Sequence, residues 1–159
     1  MNKDAIIKKI IAALAAELEG YARSARAAHA GATDEQSKAE NKYDTRGLES
    51  SYLARGQSRQ AAEVMQAMQQ YESLTAREFA PQEPIHIGAV VELERKGERT
   101  FYFVGPSAGG TEIMCEGRAV LVISTHSPMG QQLVGRKRGE CLQIKVGGAS
   151  ESYEVAAVG

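Results

Sequence analysis

"IKKIIAALAAELEGYARSARAA", Ile7 to Ala28, decides how this chain is organised. Within it Ile7, Ile11, Leu14, Leu18, Tyr21, Ala25 and Ala28 recur at spacings of 4, 3, 4, 3, 4 and 3. That alternation keeps one apolar stripe on the same side of a helix, the signature of a heptad seam. The stripe shrinks from Ile and Leu to Ala as it approaches Gly31, so a helix pair built on it narrows toward that end. A second segment repeats the pattern less cleanly at Ala54, Gln57, Ala61, Val64, Met68 and Tyr71. Its larger apolar residues also lie far from the connection. The first proline is Pro81, so nothing before it breaks a helix.

Two such helices joined by a short connection favour an antiparallel hairpin. With residue 4 opposite residue 77, the chain folds back near residues 40–41. That point lies in "TDEQSKAENKYDTRG", Thr33 to Gly47, whose carboxylates are Asp34, Glu35, Glu40 and Asp44. Gly31 reads as a helix C-cap, and Thr33 with Gln36 as a capping box, which makes the tip a region over 31–47. Arms of roughly 25–30 residues are about 40 Å long at 1.5 Å per residue. The remaining chain is too short to cover them, so the hairpin is expected to project into solvent.

Beyond Phe79 the character changes. "APQEP", Ala80 to Pro84, is a proline-bracketed linker, and the residues after it carry strand patterns. "AVVELER" (89–95) and "RTFYFVG" (99–105) alternate across Lys96-Gly97-Glu98, a hairpin connection with glycine. "TEIMCEG" is a short strand, and "AVLVIST" (119–125) is a continuous β-rich run suited to the interior of a sheet. "CLQIKV" and "ESYEVAAV" form a last hairpin across residues 147–150. Before them Ser127 fits an N-cap, Pro128 the first helical position, and Gly135 the end of a short helix. The class is α+β: a helical hairpin over 1–79, a linker at 80–84, and a sheet domain with one short helix over 85–159.

Composition narrows the function. With 159 residues, 43% hydrophobic and 25% charged, the chain is globular, not disordered. A net charge of −1 gives no global attraction to nucleic acid or anionic membrane, so any charge-based function is local. The longest uncharged apolar run, Ile10 to Ala16, falls far short of the roughly 20 residues that span a bilayer. The start "MNKDAIIKKI" lacks a signal-peptide layout, and Cys115 and Cys141 lack zinc-site spacing, so a cytoplasmic protein with reduced thiols is the default. His29, His86 and His126 are too far apart in sequence to suggest a metal motif.

"ISTHSPMGQQLVGRKRGECLQIKV", Ile123 to Val146, resembles the C-terminal signature of the bacterial Gre transcription elongation factors. The matching positions are Ser127, Pro128, Gly130, Leu133, Gly135, Arg136, Lys137, Gly139 and Glu140. The order of parts agrees over nearly the whole chain: helical hairpin, linker, small FKBP-like α+β domain. The resemblance implies that this domain docks on RNA polymerase beside its secondary channel, through Ser127, Pro128, Gly130, Arg136, Lys137 and Arg138. It also implies that the hairpin tip enters the channel near the nascent RNA 3′ end, where acidic residues help hold a catalytic Mg²⁺ for cleavage of backtracked RNA.

The tip departs from that pattern. Glu40 and Asn41 match the family's Glu-Asn pair and Tyr43 its tyrosine, with one residue missing between. Ser37 stands at the aspartate position three before the glutamate, and Lys42 replaces the acidic residue before the tyrosine. Asp34, Glu35 and Asp44 are near but out of register. Glu40 is the candidate catalytic carboxylate, assisting a Mg²⁺ shared with the polymerase; no metal site of the chain's own is expected. One or two carboxylates suffice for such an ion when phosphates and water complete its shell. The alternatives are a solvated connector, a non-cleaving channel modulator, or an interaction module dimerising through the Ile7–Ala28 seam. The chain is expected to be a monomer and not a self-sufficient enzyme. Prolyl isomerisation, suggested by FKBP-like topology alone, is weak because few aromatics are available to line a pocket.

Overall fold

The heptad seam becomes helix. In a computed structural model that describes residues 1–33, 46–80, 82–146 and 149–159, α1 spans Lys3–Thr33 and α2 spans Arg46–Glu72. Asn2 starts α1: its side-chain oxygen accepts from the Ala5 amide at 3.0 Å and its carbonyl from Ile6 at 3.1 Å. Helix α1 runs through Gly31 to Thr33, so Gly31 is not its cap. Without a terminating left-handed glycine, the helix continues past it. Gln36 of the expected capping box lies outside the described residues.

Every seam residue of α1 from Ile7 to Ala28 is buried or half-buried. In α2 Val64 and Tyr71 are buried and Gln57, Ala61 and Met68 half-buried, while the side chain of Ala54 lies outside the described ones. The chain forms two compact units that do not divide at the 80–84 linker. Met1–Ala13 groups with Gln69–Gly159, and Leu14–Met68 forms the other unit. The start of α1 and the end of α2 thus share a unit, as an antiparallel pair requires.

In the first unit six strands form one sheet in the order β3-β4-β2-β1-β6-β5. They are β1 (Val90–Arg95), β2 (Glu98–Gly105), β3 (Glu112–Cys115), β4 (Arg118–Ser124), β5 (Cys141–Val146) and β6 (Ala149–Val158). All neighbours pair antiparallel except β2 and β4, which run parallel with Phe103 opposite Val122. The run 119–125 is therefore interior, flanked by β2 and β3 as its unbroken apolar character suggests. Strand β6 begins at Ala149, earlier than expected, where it pairs with Val146.

Side chains alternate across the sheet and make two apolar faces. Val91, Leu93, Val104 and Ile123 look toward α3 (Pro128–Leu133), joining Leu133, Leu142 and Val155 in one cluster. On the other face lie Val90, Phe103, Ile113, Cys115, Val120 and Val122, all buried. The ends of α1 and α2 cover that face. The Tyr71 ring stands 6.4 Å from Phe103, the Asn2 amide donates to Glu116 at 2.9 Å, and the Lys9 ammonium donates to the Met114 carbonyl. This explains why Ile6 and Ile10, which are not seam residues, are fully buried. The first turns of α1 carry two stripes, one for each neighbour.

Lys3, Arg77, Phe79 and Glu83 form one set of contacts. Lys3, only 5% exposed, donates to the Arg77 carbonyl and lies over the Phe79 ring at 4.7 Å. Burial holds its amine below the usual lysine range, opposed by the Glu78 carboxylate 3.9 Å away. The Arg77 guanidinium stacks on Phe79 at 3.8 Å and pairs with Glu83 at 2.6 Å.

Candidate functional site

The Ser127–Glu140 segment accounts for most of its own signature by local geometry. Ser127 is extended, at φ −69° and ψ 153°, and its hydroxyl oxygen accepts from the Gly130 amide at 3.0 Å. The same hydroxyl donates to the Ser124 carbonyl at 2.8 Å. Pro128 follows inside the helix start, where its missing N–H costs nothing. Gly130 is buried against the end of β4: a Cβ there would lie 2.0 Å from the Ser124 carbonyl oxygen. The glycine is demanded by packing, since its neighbour is rigid backbone.

The basic turn that follows is anchored from both sides. Gly135, at φ +86°, donates to the Ile85 carbonyl at 2.8 Å, and Ile85 donates back to Arg136 at 2.8 Å. The Arg136 Nε donates to the Gln132 carbonyl at 2.7 Å, so this guanidinium is partly committed to the end of α3. The Glu140 carboxylate accepts from the Lys137 amide at 2.9 Å, and Gly139, also at φ +86°, donates to Val155. Lys137 and Arg138 are exposed, and Pro128 is exposed on the opposite shoulder of α3. Of the six residues expected to contact a partner, Ser127 and Gly130 serve the local fold. Pro128, Lys137 and Arg138 present free surface, and Arg136 does part of both.

Beside Ser127 and Pro128 lies a groove of about 670 Å³. Its walls come from α3 (Met129, Gln132), β4 (Leu121, Ile123), β5 (Gln143, Ile144) and the turn at Gly109-Gly110. Among the described residues no aromatic side chain lines it. Sequence reasoning did not find this groove. Its walls are brought together by the sheet, and the only local hint was the glycine-rich "GPSAGG", residues 105–110.

The tip residues Asp34, Glu35, Ser37, Glu40, Asn41, Tyr43 and Asp44 lie outside the described residues. Among the described residues no three His, Cys, Asp or Glu side chains gather as metal ligands. Cys115 is buried on β3 as a small apolar residue, whereas Cys141 opens β5 on the surface. Among the described residues no helix is long and apolar enough to cross a membrane.

This fold and its C-terminal segment define a transcription elongation factor, for residues 80–159 match the family model "Transcription elongation factor, GreA/GreB, C-term". The chain belongs to the GreA/GreB family. Among solved structures it is similar to the GreA factor homolog 1 (Gfh1) protein of Thermus thermophilus, at 24% identity over 94% of each chain and a TM-score of 0.40. Gfh1 of Thermus aquaticus shows 25% identity over 91% of this chain and 90% of that one, with a TM-score of 0.42. A transcription elongation factor GreA/GreB from Nitrosomonas europaea shows 21% identity over 65% of this chain and 78% of that one, at 0.39. No curated protein matches.

Proposed function

We propose that this protein regulates transcript elongation by binding bacterial RNA polymerase beside its secondary channel, with residues 31–47 entering the channel. The observation that carries this reading is the family match over 80–159, which contains the exposed Pro128, Lys137 and Arg138 and the groove beside them. Two uncompensated cations on a rigid turn suit an acidic surface, and they act on association rate and salt dependence more than on final affinity. The protein supplies no reaction of its own. Glu40 would add one carboxylate to a Mg²⁺ that the polymerase holds, and that ion supplies the activation of water for phosphodiester hydrolysis.

Ser37 and Lys42 favour a second version, in which the tip occupies the channel and modulates the polymerase without cleavage. Serine is a poor Mg²⁺ ligand, and a lysine beside Glu40 offsets its charge. One assay separates the two. Backtracked polymerase complexes are incubated with the wild-type protein, with Glu40→Ala, and with Ser37→Asp. Cleavage that Glu40→Ala abolishes establishes the assisting role. Binding without cleavage, with cleavage gained in Ser37→Asp, establishes the modulator. Absence of any association between the wild-type protein and polymerase in a pull-down would refute both. A stable dimer in sedimentation would instead favour pairing through the helical seam.

A further inference from the structure

We infer that Tyr71, at the end of α2, positions one wall of the groove beside Ser127 and Pro128, and so tunes docking from the opposite face of the sheet. This rests on the reading of that groove as part of the polymerase contact.

Tyr71 is fully buried, and its hydroxyl donates to the Ser107 carbonyl at 2.8 Å. Ser107 belongs to the connection between β2 and β3, whose later residues Gly109 and Gly110 line the groove. The fit around the hydroxyl is close. A Cβ at Gly105 would lie 1.9 Å from the Tyr71 oxygen, so the glycine that ends β2 is what admits the phenol. Downstream the loop adopts conformations that need an external hold. Ala108 sits at φ +55°, an unfavourable region for a residue with a side chain, and Gly110 at φ +97°. Two bonds tie the end of the loop to β4, from the Gly110 amide to the Val122 carbonyl at 2.9 Å and from the Val122 amide to the Thr111 carbonyl at 2.8 Å, and one from the Thr111 amide to the Ala108 carbonyl at 3.3 Å closes the turn on itself. The wall therefore hangs between β4 and one phenol. Gly109 is close enough to β4 that a Cβ would meet the Ser124 amide at 3.2 Å, and Ser124 is also the residue whose carbonyl receives the Ser127 hydroxyl. Tyr71, the 105–110 loop, Ser124 and the Ser127 cap form one contiguous set of contacts. A shift of the loop moves the groove and the cap together, and a partner seated there should in turn hold the loop on Tyr71.

The experiment uses the full chain and the variants Tyr71→Phe, Gly105→Ala, their double, and Ser73→Ala as a control whose hydroxyl bonds only to the Gln70 carbonyl. Loss of one hydrogen bond should speed amide exchange at Gly110 and Thr111 by about fivefold in Tyr71→Phe. The NMR signals of Ser124 and Ser127 should shift, and polymerase affinity should fall severalfold. Gly105→Ala should do the same by pushing the phenol away, and less so when the hydroxyl is already absent. Ser73→Ala should change none of these. Unchanged loop exchange and unchanged groove signals in Tyr71→Phe overturn the inference. A looser loop with full polymerase affinity overturns its bearing on docking. A looser loop in a protein whose wild type does not bind polymerase keeps the positioning role and sinks the docking reading alone.

Discussion

Ser127 was legible as a helix cap because an N-cap serine followed by proline is a local pattern, and local patterns survive without tertiary information. Gly130 was legible only as part of a family signature. Its reason, the Ser124 carbonyl that a Cβ would strike, comes from the end of β4 several residues earlier in the chain. Gly130→Ala should cost about 2–3 kcal/mol, since the clash is with backbone and not with a side chain that can turn away. Ser127→Ala should cost about 1 kcal/mol. Urea midpoints of the two variants check the order. Glu83 offers a test by pH. Its carboxylate accepts from the Ala80 amide and pairs with Arg77, which together hold it below its ordinary value of 4.5. The stability it contributes is fully present above that value and is lost as the pH falls through the lower, folded-state value. Wild type should therefore lose stability in acid more steeply than Glu83→Gln, as thermal melts between pH 3 and 7 would show.

At the scale of elements, the seam of α1 could be read directly because a helix repeats its facing every few residues. The same reading left Ile6 and Ile10 unexplained, since periodicity reports one partner and these residues serve a second. Ile10→Ala should destabilise by about 2–4 kcal/mol despite lying outside the seam. A loss below 1 kcal/mol in chemical denaturation would contradict the burial. Helix α2 carries a different signal. Among the described residues the Gln57 side-chain oxygen is buried without a hydrogen-bond partner. An unsatisfied carbonyl of this kind costs about 1–3 kcal/mol, so Gln57→Leu should raise the melting temperature measured by helix ellipticity. Strand assignments from residue 89 onward were also legible, because alternation and glycine turns are written at short range. The parallel pairing of β2 with β4 was not. It joins segments separated by β3, and nothing local encodes which strand receives which.

For the whole molecule, the linker at 80–84 marked a change of composition, and the family match begins there. The contacts divide the chain differently. The sheet has two apolar faces, and the ends of α1 and α2 supply the cover for one of them. A fragment spanning 80–159 would expose Phe103, Val120 and Val122, each fully buried in the intact chain. It should bind the dye ANS and unfold at a lower urea concentration than the full chain. Equal midpoints, with no dye binding, would show that the C-terminal half needs no such cover. The sequence by itself determined the helices, the strands, the capped Ser-Pro turn and the family, because each is encoded by spacing within a few residues. Only the tertiary structure decided where the second stripe of α1 goes, which residues wall the groove, and why Gly105 must be small beside Tyr71. Those depend on surfaces that meet across long stretches of chain, and no local pattern of residues records which surface will be opposite.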